Sequence, residues 1–255
     1  MSEKVLIIDI GNSATELAVF ENEKMVEFLG FFKLPKQKDE LFSSLENGNK
    51  KYSLHRGMIF SVVPEKVSKV VNLVKKVCGF NIPVFDWNNY ILKNKSEKIT
   101  EPIGADLLAD LKAAEKYYAG SVLIADCGTI TKLLLTDKDS KFVGLSIIPG
   151  IETMLKTFNA CTALLPDSEE LNKVKDEFGH NTIESMNHGV YWSTVSYIKE
   201  QSKIIDMKKG KLIITGGNLR YIKNEFPNAV VDQYFTLKGM NILYEEVAKW
   251  STMNF

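Results

Sequence analysis

Three short apolar runs separated by turn-forming residues open the chain. Gly11-Asn12 and Glu21-Asn22 lie between these runs, which favours tight hairpins and hence an antiparallel meander of three strands. A polar stretch from Lys36 to Lys51 follows, and apolar strands then alternate with one amphipathic helix. The strands predicted in this half are Val5–Ile10, Thr15–Phe20, Lys24–Gly30, Gly57–Val62 and Ile82–Phe85, and the helix is Glu65–Cys78.

The second half of the chain repeats this order of elements. Strands are predicted at Val122–Asp126, Ile130–Thr136 and Lys141–Ile148, again with a glycine turn between the first two. Alternating helices and strands follow, as in the first half. They are predicted at Ile151–Phe158, Thr182–Lys203, Lys211–Thr215, a helix after Gly217, a short strand near Val230, and a helix over Leu237–Trp250. The pattern indicates an internal duplication.

A polar, lysine-rich segment joins the two halves. Residues 88–102 are the candidate hinge, and Gly104–Tyr118 then has the pattern of an amphipathic helix. Since no long Gly/Ser linker separates the halves, we expect two closely packed lobes, residues 1–103 and 104–255, with a cleft between them. The fold class predicted is α/β.

Composition narrows the possible partners. The 255 residues are 45% hydrophobic and 25% charged, which is ordinary globular usage. Lys plus Arg and Asp plus Glu both total 32, so we expect neither nucleic acid nor a membrane surface as partner. The three cysteines are widely spaced and suit a reducing compartment, and the first apolar run is too short for a signal peptide or a span. We therefore expect a cytoplasmic protein.

Each half carries the same short motif at the tip of its first hairpin. The copies are Asp9-Ile10-Gly11-Asn12-Ser13 and Asp126-Cys127-Gly128-Thr129-Ile130-Thr131. Glycine permits a tight turn and lets backbone N–H groups approach phosphate oxygens, because no Cβ intervenes. Hydroxyl and amide side chains beside the glycines add neutral hydrogen-bond donors. The predicted phosphate-binding residues are Asp9, Gly11, Asn12, Ser13, Gly128, Thr129 and Thr131.

Asp9 and Asp126 end their strands and are candidate magnesium ligands, since this ion prefers hard oxygen donors. A single Asp-x-Gly is more often a plain hairpin turn. Two copies, each between apolar strands, favour phosphate binding instead. A third glycine cluster, Gly216-Gly217, joins a strand to a helix, where free N–H groups and the helix dipole favour an anion. We expect the adenosine side of a nucleotide there.

With these motifs in place, the sequence resembles the type III pantothenate kinases, a family related to the Bvg accessory factor proteins. The resemblance spans nearly the whole chain and rests on ordered short motifs. Besides the two hairpin motifs these are Ser61-Val62-Val63-Pro64, Gly104-Ala105-Asp106, Ile148-Pro149-Gly150, Leu164-Leu165-Pro166, Asn181-Thr182, Thr215-Gly216-Gly217 and Leu237-Lys238-Gly239.

The resemblance implies a duplicated actin-like ATPase fold of the ribonuclease H-like type and an enzyme that phosphorylates pantothenate. It implies ATP as the donor, Mg²⁺, a monovalent cation (K⁺ or NH₄⁺) and a homodimer. Asp106 matches the general base, while Gly104 and Ala105 belong to the substrate motif. Thr182 matches a threonine that helps hold pantothenate from the partner subunit. From the residues alone, the favoured interpretation of Asp106 is a helix-start residue that caps an amphipathic helix.

The chain departs from the family pattern on the acceptor side. Leu107 stands where the family usually has an arginine that clamps the substrate carboxylate, and leucine cannot fill that role. Lys132 replaces a threonine, Leu145 replaces a glycine, and Thr100 replaces a proline. Either another cation such as Lys132 or Lys156 substitutes, or the chain is an impaired or regulatory homologue that binds nucleotide, or it phosphorylates another small alcohol.

Overall fold

The computed structural model describes residues 3–87, 90, 103–168, 170–172, 178–207 and 209–252. Within them, the chain forms two β-sheets with helices and divides into two compact units. Unit 1 comprises residues 1–113 and 236–255, and unit 2 comprises residues 114–235. The predicted hinge over 88–102 and the Thr100 substitution lie outside the described residues, apart from Tyr90.

The sheet of unit 1 has the strand order β3-β2-β1-β4. The first three strands form the predicted antiparallel meander, and β4 runs parallel to β1. Their bounds are β1 Lys4–Ile10, β2 Thr15–Glu21, β3 Lys24–Phe32 and β4 Gly57–Ser61. The parallel pairing of β1 with β4 brings the residues that follow both strands to the same edge of the sheet, which positions the site described below.

Four helices whose full bounds are described lie wholly or mainly in unit 1: α1 Lys38–Tyr52, α2 Pro64–Cys78, α3 Ala105–Tyr117 and α7 Phe235–Thr252. The first lies in the polar stretch for which the sequence pattern predicted no element. It forms because Leu41, Leu45 and Gly48 share one helical face, and the two leucines are buried in the core of the unit. Most of the other positions of α1 are polar, which obscured this narrow apolar stripe.

The strand predicted at Ile82–Phe85 is wrong. Only a single parallel bridge joins Val84 to Ile59, with hydrogen bonds from Ile59 N–H to Pro83 O at 2.9 Å and from Phe85 N–H to Ile59 O at 2.8 Å. Pro83 has no N–H to donate, so a longer ladder does not form. The segment still covers the β4 edge of the sheet.

The sheet of unit 2 has the order β7-β6-β5-β8-β9, so its first four positions repeat the order and directions of the unit 1 sheet. The strands are β5 Val122–Cys127, β6 Ile130–Thr136, β7 Phe142–Pro149, β8 Lys211–Thr215 and β9 Val230–Val231. This repetition confirms the predicted duplication of two meanders, each followed by a parallel strand. Strand bounds agree with the sequence prediction to within two residues.

Among its described residues, unit 2 has the helices α4 Ile151–Cys161, α5 Thr182–Met207 and the short α6 Leu219–Ile222, which a 3₁₀ turn follows. Two of them begin directly beside predicted motifs. Helix α4 starts after Gly150, and α6 follows Gly216-Gly217. The α4 and α5 helices pack on the core of this unit through Leu155, Val195 and Ile198, which are fully buried.

The C-terminal helix α7 groups with unit 1. Thr236 Oγ1 donates a hydrogen bond to Asp110 Oδ1 at 2.8 Å, and a Cβ added to Gly239 would lie 1.9 Å from Ala109 O. Helices α3 and α7 therefore contact each other backbone to backbone. The division into lobes 1–103 and 104–255 stays a prediction, and the compact units place residues 104–113 and 236–255 with the N-terminal sheet.

No helix among the described residues is long and apolar enough to cross a membrane.

Candidate active site

The first predicted phosphate loop is a tight turn at the end of β1. Gly11 N–H donates to Ala14 O at 2.8 Å, and the Asn12 and Ser13 side chains are exposed. Asp9 is half-buried one residue before the strand ends and lies directly opposite Glu16 on β2. Directly opposed residues of an antiparallel pair point to the same face of a sheet. Two carboxylates therefore share a face beside the turn, although no sequence motif indicated Glu16.

Lys66 is a further residue of this loop that sequence reasoning missed. Its Nζ donates hydrogen bonds to Gly11 O at 3.1 Å and to Asn12 O at 2.7 Å. These bonds fix the carbonyl oxygens of the turn and place a positive charge beside its N–H groups. The signal was present in the topology: because β1 and β4 are parallel neighbours, the start of α2 must lie next to the turn that follows β1.

The predicted acceptor motif lies at the same end of unit 1. Val62 N–H, directly after β4, donates to Ile10 O at 3.2 Å, and a Cβ added to Gly104 would lie 3.5 Å from Val62 Cγ1. Gly104 precedes α3, and Ala105 is its first residue. The structure therefore brings Gly104, Ala105 and Asp106 to the sheet edge that also carries the first loop.

Asp106 is half-buried in the first turn of α3. Its Oδ1 accepts a hydrogen bond from Leu107 N–H at 2.8 Å, and a Cβ on Gly104 would lie only 2.3 Å from that oxygen. The carboxylate thus folds back over the start of its own helix, and glycine at 104 leaves room for it. This contact agrees with the helix-start interpretation, while the general-base role stays a prediction. Leu107 is buried, with 6% of its surface exposed.

The second predicted phosphate loop is held by the start of α4. Gly128 N–H donates to Ile130 O at 3.1 Å, while Thr129 O accepts hydrogen bonds from Gly150 N–H at 3.0 Å and from Thr153 Oγ1 at 2.5 Å. A Cβ on Gly150 would lie 2.1 Å from Gly128 O, so only glycine fits there. The Pro149-Gly150 turn therefore sets the shape of this loop.

The third glycine cluster joins the second loop. Asn218 donates from its backbone N–H to Cys127 O at 2.8 Å and from Nδ2 to Gly128 O at 2.9 Å. Gly216 has a φ of +84°, which favours glycine, and open space surrounds the Cα of Gly217. The structure thus brings Gly128, Gly216 and Gly217 together in unit 2, and their role in nucleotide binding stays a prediction.

Two of the predicted residues are more enclosed than expected. Thr131 is fully buried, whereas Thr129 is exposed, so a phosphate-binding role for Thr131 stays a prediction. Asp126 Oδ2 lies 2.5 Å from Lys132 Nζ, in an ion pair whose two side chains are 12% and 8% exposed. A lysine ammonium therefore stands where the sequence motif predicted a metal ion. The metal-ligand role of Asp126 also stays a prediction.

Thr182 is the exposed first residue of α5. Asn181 Oδ1 accepts a hydrogen bond from Glu184 N–H at 3.0 Å, and Glu184 Oε2 accepts one from His180 N–H at 2.9 Å. This side-chain capping fixes the helix start and leaves the Thr182 hydroxyl at the surface of unit 2. The predicted contact with pantothenate from a partner subunit stays a prediction.

The titratable side chains of the described residues determine where a metal ion could bind and which thiols react. Within the described ranges, no cluster of three or more His, Cys, Asp or Glu side chains could hold an ion. Burial raises the pKa of the Cys127 thiol, and the neighbouring Asp126 charge raises it further. Burial also raises the pKa of Cys78 to about 11. These two thiols are inert at neutral pH, and the three cysteines form no disulfide.

Comparison with known proteins identifies the family. A model of the type III pantothenate kinase family matches residues 5–203. The type III pantothenate kinase of Agathobacter rectalis is 31% identical over 256 residues, covering 95% of this chain and 97% of that relative.

Solved structures agree on the fold. The crystal structure of a Campylobacter jejuni protein, described as a Baf family transcriptional activator, matches with a TM-score of 0.60 and 19% identity over 96% of this chain and 99% of that one. The activator of the 2-hydroxyisocaproyl-CoA dehydratase from Clostridium difficile, with bound ADPNP, matches with a TM-score of 0.54 and 11% identity over 100% and 98%. These likenesses confirm the duplicated actin-like ATPase fold class. On the family match and the relative that covers nearly its whole length, the chain belongs to the type III pantothenate kinase family.

Proposed function

We propose that this chain transfers the γ-phosphate of ATP to the primary hydroxyl of pantothenate, giving 4'-phosphopantothenate on the route to coenzyme A. The observation that carries this proposal is the family match over residues 5–203, which includes both glycine loops and the Asp106 motif. The relatives that span nearly the whole chain carry the same name. The family model and these two relatives are all named for pantothenate phosphorylation, which favours the kinase over a regulatory protein or another acceptor.

The two glycine loops supply the donors for the triphosphate. Exposed side chains at Asn12, Ser13 and Thr129 are suited to phosphate oxygens, while the N–H groups of Gly11 and Gly128 hold the shape of the two turns. Gly217 has open space above its Cα, which suits the adenosine side. Phosphate binding by each of the two loops is part of this proposal, and it rests on the duplicated motif and the family.

Asp106 is proposed as the group that orients the pantothenate hydroxyl and accepts its proton. Aspartate is a weak base towards an alcohol, but phosphoryl transfer has a loose transition state in which positioning dominates and proton removal comes late. The contact between Asp106 Oδ1 and Leu107 N–H fixes one carboxylate oxygen. This bond holds the carboxylate at the start of α3, beside the first glycine loop.

Magnesium fits the first loop better than the second. The carboxylates of Asp9 and Glu16 share a face beside the turn, and paired hard oxygen donors are what this ion prefers. Bound there, Mg²⁺ would neutralise charge on the ATP phosphates. At the second loop, Lys132 already neutralises Asp126. K⁺ or NH₄⁺ as activator is proposed from the family alone, without an assigned ligand.

A cytoplasmic homodimer is proposed on the same grounds. Thr182 is exposed at a capped helix start, so its hydroxyl is available to a site that a second subunit would complete. Sedimentation of the purified protein tests this part of the proposal. A monomer that turns over pantothenate at the same rate at every concentration would contradict it.

The experiment that tests the function is a product assay. Purified protein with ATP, Mg²⁺, K⁺ and pantothenate should give 4'-phosphopantothenate and ADP in equal amounts. A parallel screen of other small alcohols by ADP release tests the alternative acceptor, and Leu107→Arg tests whether a missing clamp limits turnover. ATP binding without any pantothenate phosphorylation, by either the natural chain or Leu107→Arg, would contradict the proposal.

A further inference from the structure

Three polar side chains form a row across neighbouring strands of unit 2. Lys132 on β6 lies directly opposite Asp126 on β5, and Thr215 on β8 lies opposite Asp126 on its other side. Residues in register on adjacent strands point to the same face of the sheet. The three are almost completely buried, with 7%, 8% and 0% of their surfaces exposed. Polar groups so deeply buried need partners within the protein.

Both oxygens of the Asp126 carboxylate are enclosed by this chain. Oδ2 is 2.5 Å from Lys132 Nζ, and Oδ1 lies so close to Gly216 that a Cβ there would approach it to 2.5 Å. Within the part of the chain that the structure describes, Thr215 Oγ1 is buried and has no hydrogen-bond partner. The row therefore contains the Asp126 carboxylate, paired with Lys132, and next to it the Thr215 hydroxyl, which forms no hydrogen bond among the described residues.

A buried carboxylate requires a cation, because leaving it unpaired costs far more than a surface charge would. The sequence motif offers Asp126 as a metal ligand, but the fold supplies an ammonium group instead. We propose that Lys132 is the resident cation of the Asp126 site, which holds the second glycine loop in shape and neutralises its carboxylate without a metal ion.

The functional consequence rests on the proposed kinase activity. Phosphate oxygens approaching Gly128 and Thr129 would be repelled by an uncompensated carboxylate at the base of the loop. Lys132 removes that repulsion before nucleotide arrives. Without the ammonium group, the Asp126 carboxylate and the Thr215 hydroxyl would be left as oxygen donors, a pair that suits K⁺ or Mg²⁺. Replacement of Lys132 should thus create a dependence on an added cation.

Thermal unfolding without nucleotide tests this assignment independently of catalysis. The natural chain, Asp126→Asn, Lys132→Thr and the double variant Asp126→Asn/Lys132→Thr are compared in choline chloride, KCl and MgCl₂ at equal ionic strength. The change of Tm between choline chloride and KCl or MgCl₂ should be the same for the natural chain and for Asp126→Asn. Lys132→Thr should lose on the order of 10 °C in choline chloride and regain part of it in KCl or MgCl₂. The double variant should be more stable than Lys132→Thr and respond to neither salt.

Two results would overturn the proposal. The first is a Tm increase with K⁺ or Mg²⁺ in the natural chain that Asp126→Asn abolishes, which would make Asp126 a metal ligand. The second is a Lys132→Thr chain that behaves alike in all three salts. Such a chain would either have the same Tm in each of them or be unfolded in each of them. A Lys132→Thr chain that folds only with K⁺ or Mg²⁺ supports the proposal. Since no step of this test uses ATP or pantothenate, its failure would leave the kinase proposal standing.

Discussion

Lys66 donates hydrogen bonds to two consecutive carbonyl oxygens, those of Gly11 and Asn12, in the first glycine loop. These two bonds fix the carbonyl oxygens of the turn before any ligand binds. The ammonium nitrogen also lies within hydrogen-bond distance of the loop that is proposed to bind phosphate. At the scale of single residues, Lys66 both fixes the shape of the loop and adds a positive charge to it. The sequence alone did not indicate either effect.

Lys66→Met should therefore weaken ATP binding about tenfold, or about 1.4 kcal/mol, because the variant loses the positive charge beside the proposed phosphate position. Calorimetric titration of ATP measures the change. Lys69→Met is the matched control, because Lys69 is exposed on the same helix. Equal losses in the two variants would mean that only the general charge of the helix matters.

The buried thiol of Cys78 should make the free energy of unfolding depend on pH. Burial raises the pKa of Cys78 to about 11 from an ordinary value of 9.0, so the unfolded chain loses this proton first as pH rises. The free energy of unfolding should consequently fall between pH 9 and pH 11. Replacement of Cys78 by alanine should flatten that part of the stability curve, measured by urea unfolding.

The same burial controls thiol reactivity, because the thiolate is the reactive form. Alkylation of the native protein at pH 8 should modify the exposed Cys161 and spare Cys78 and Cys127. Mass spectrometry of the digested protein identifies the modified residue. Rapid labelling of Cys127 under native conditions would contradict the packing described for unit 2.

At the scale of elements, the helix pair α3 and α7 depends on a close approach of two backbones. A Cβ at Gly239 would lie 1.9 Å from Ala109 O, so the α7 helix cannot accept a side chain at that position without shifting. Gly189 lies on the exposed face of α5, where a Cβ added to it would meet no atom within 4 Å. The two helical glycines therefore differ only in their surroundings.

Gly239→Ala should lower the free energy of unfolding by about 1–3 kcal/mol through overpacking. Gly189→Ala should raise it by roughly 0.5–1 kcal/mol, since alanine is the better helix former in an open position. Urea unfolding of both variants measures the difference. A stabilised Gly239→Ala chain would show that α3 and α7 do not pack as described.

The sequence pattern predicted most elements because local signals define them. Apolar runs separated by turn residues specified both meanders, with Gly11-Asn12 and Glu21-Asn22 in the first and Gly128 in the second. The repeated Asp-x-Gly motif located both loops. The pattern did not show α1, because its buried stripe consists of two leucines and a glycine among polar residues. It also placed a strand at Ile82–Phe85, where Pro83 limits pairing to one bridge.

At the scale of the whole molecule, the features that escaped prediction are contacts between residues distant in sequence. Thr236 bonds to Asp110 and so attaches the C-terminal helix to unit 1. Lys66 reaches Gly11 only because β1 and β4 pair in parallel. A hydrophobic period or a sequence motif reports on residues that are close along the chain. These contacts join distant residues and depend on how the strands and helices are arranged. The family resemblance supplied the function, and the structure added the positions of Lys66, Glu16 and Lys132.

The central claim is that Asp106 directs phosphoryl transfer to pantothenate from a nucleotide bound by the glycine loops. Its most direct test is to assay the natural chain and Asp106→Asn side by side, with ATP affinity measured in each. We predict that the natural chain forms 4'-phosphopantothenate and that Asp106→Asn loses about 10²–10⁴-fold in kcat while its ATP affinity stays unchanged. An Asp106→Asn chain that phosphorylates pantothenate at the natural rate would contradict the claim.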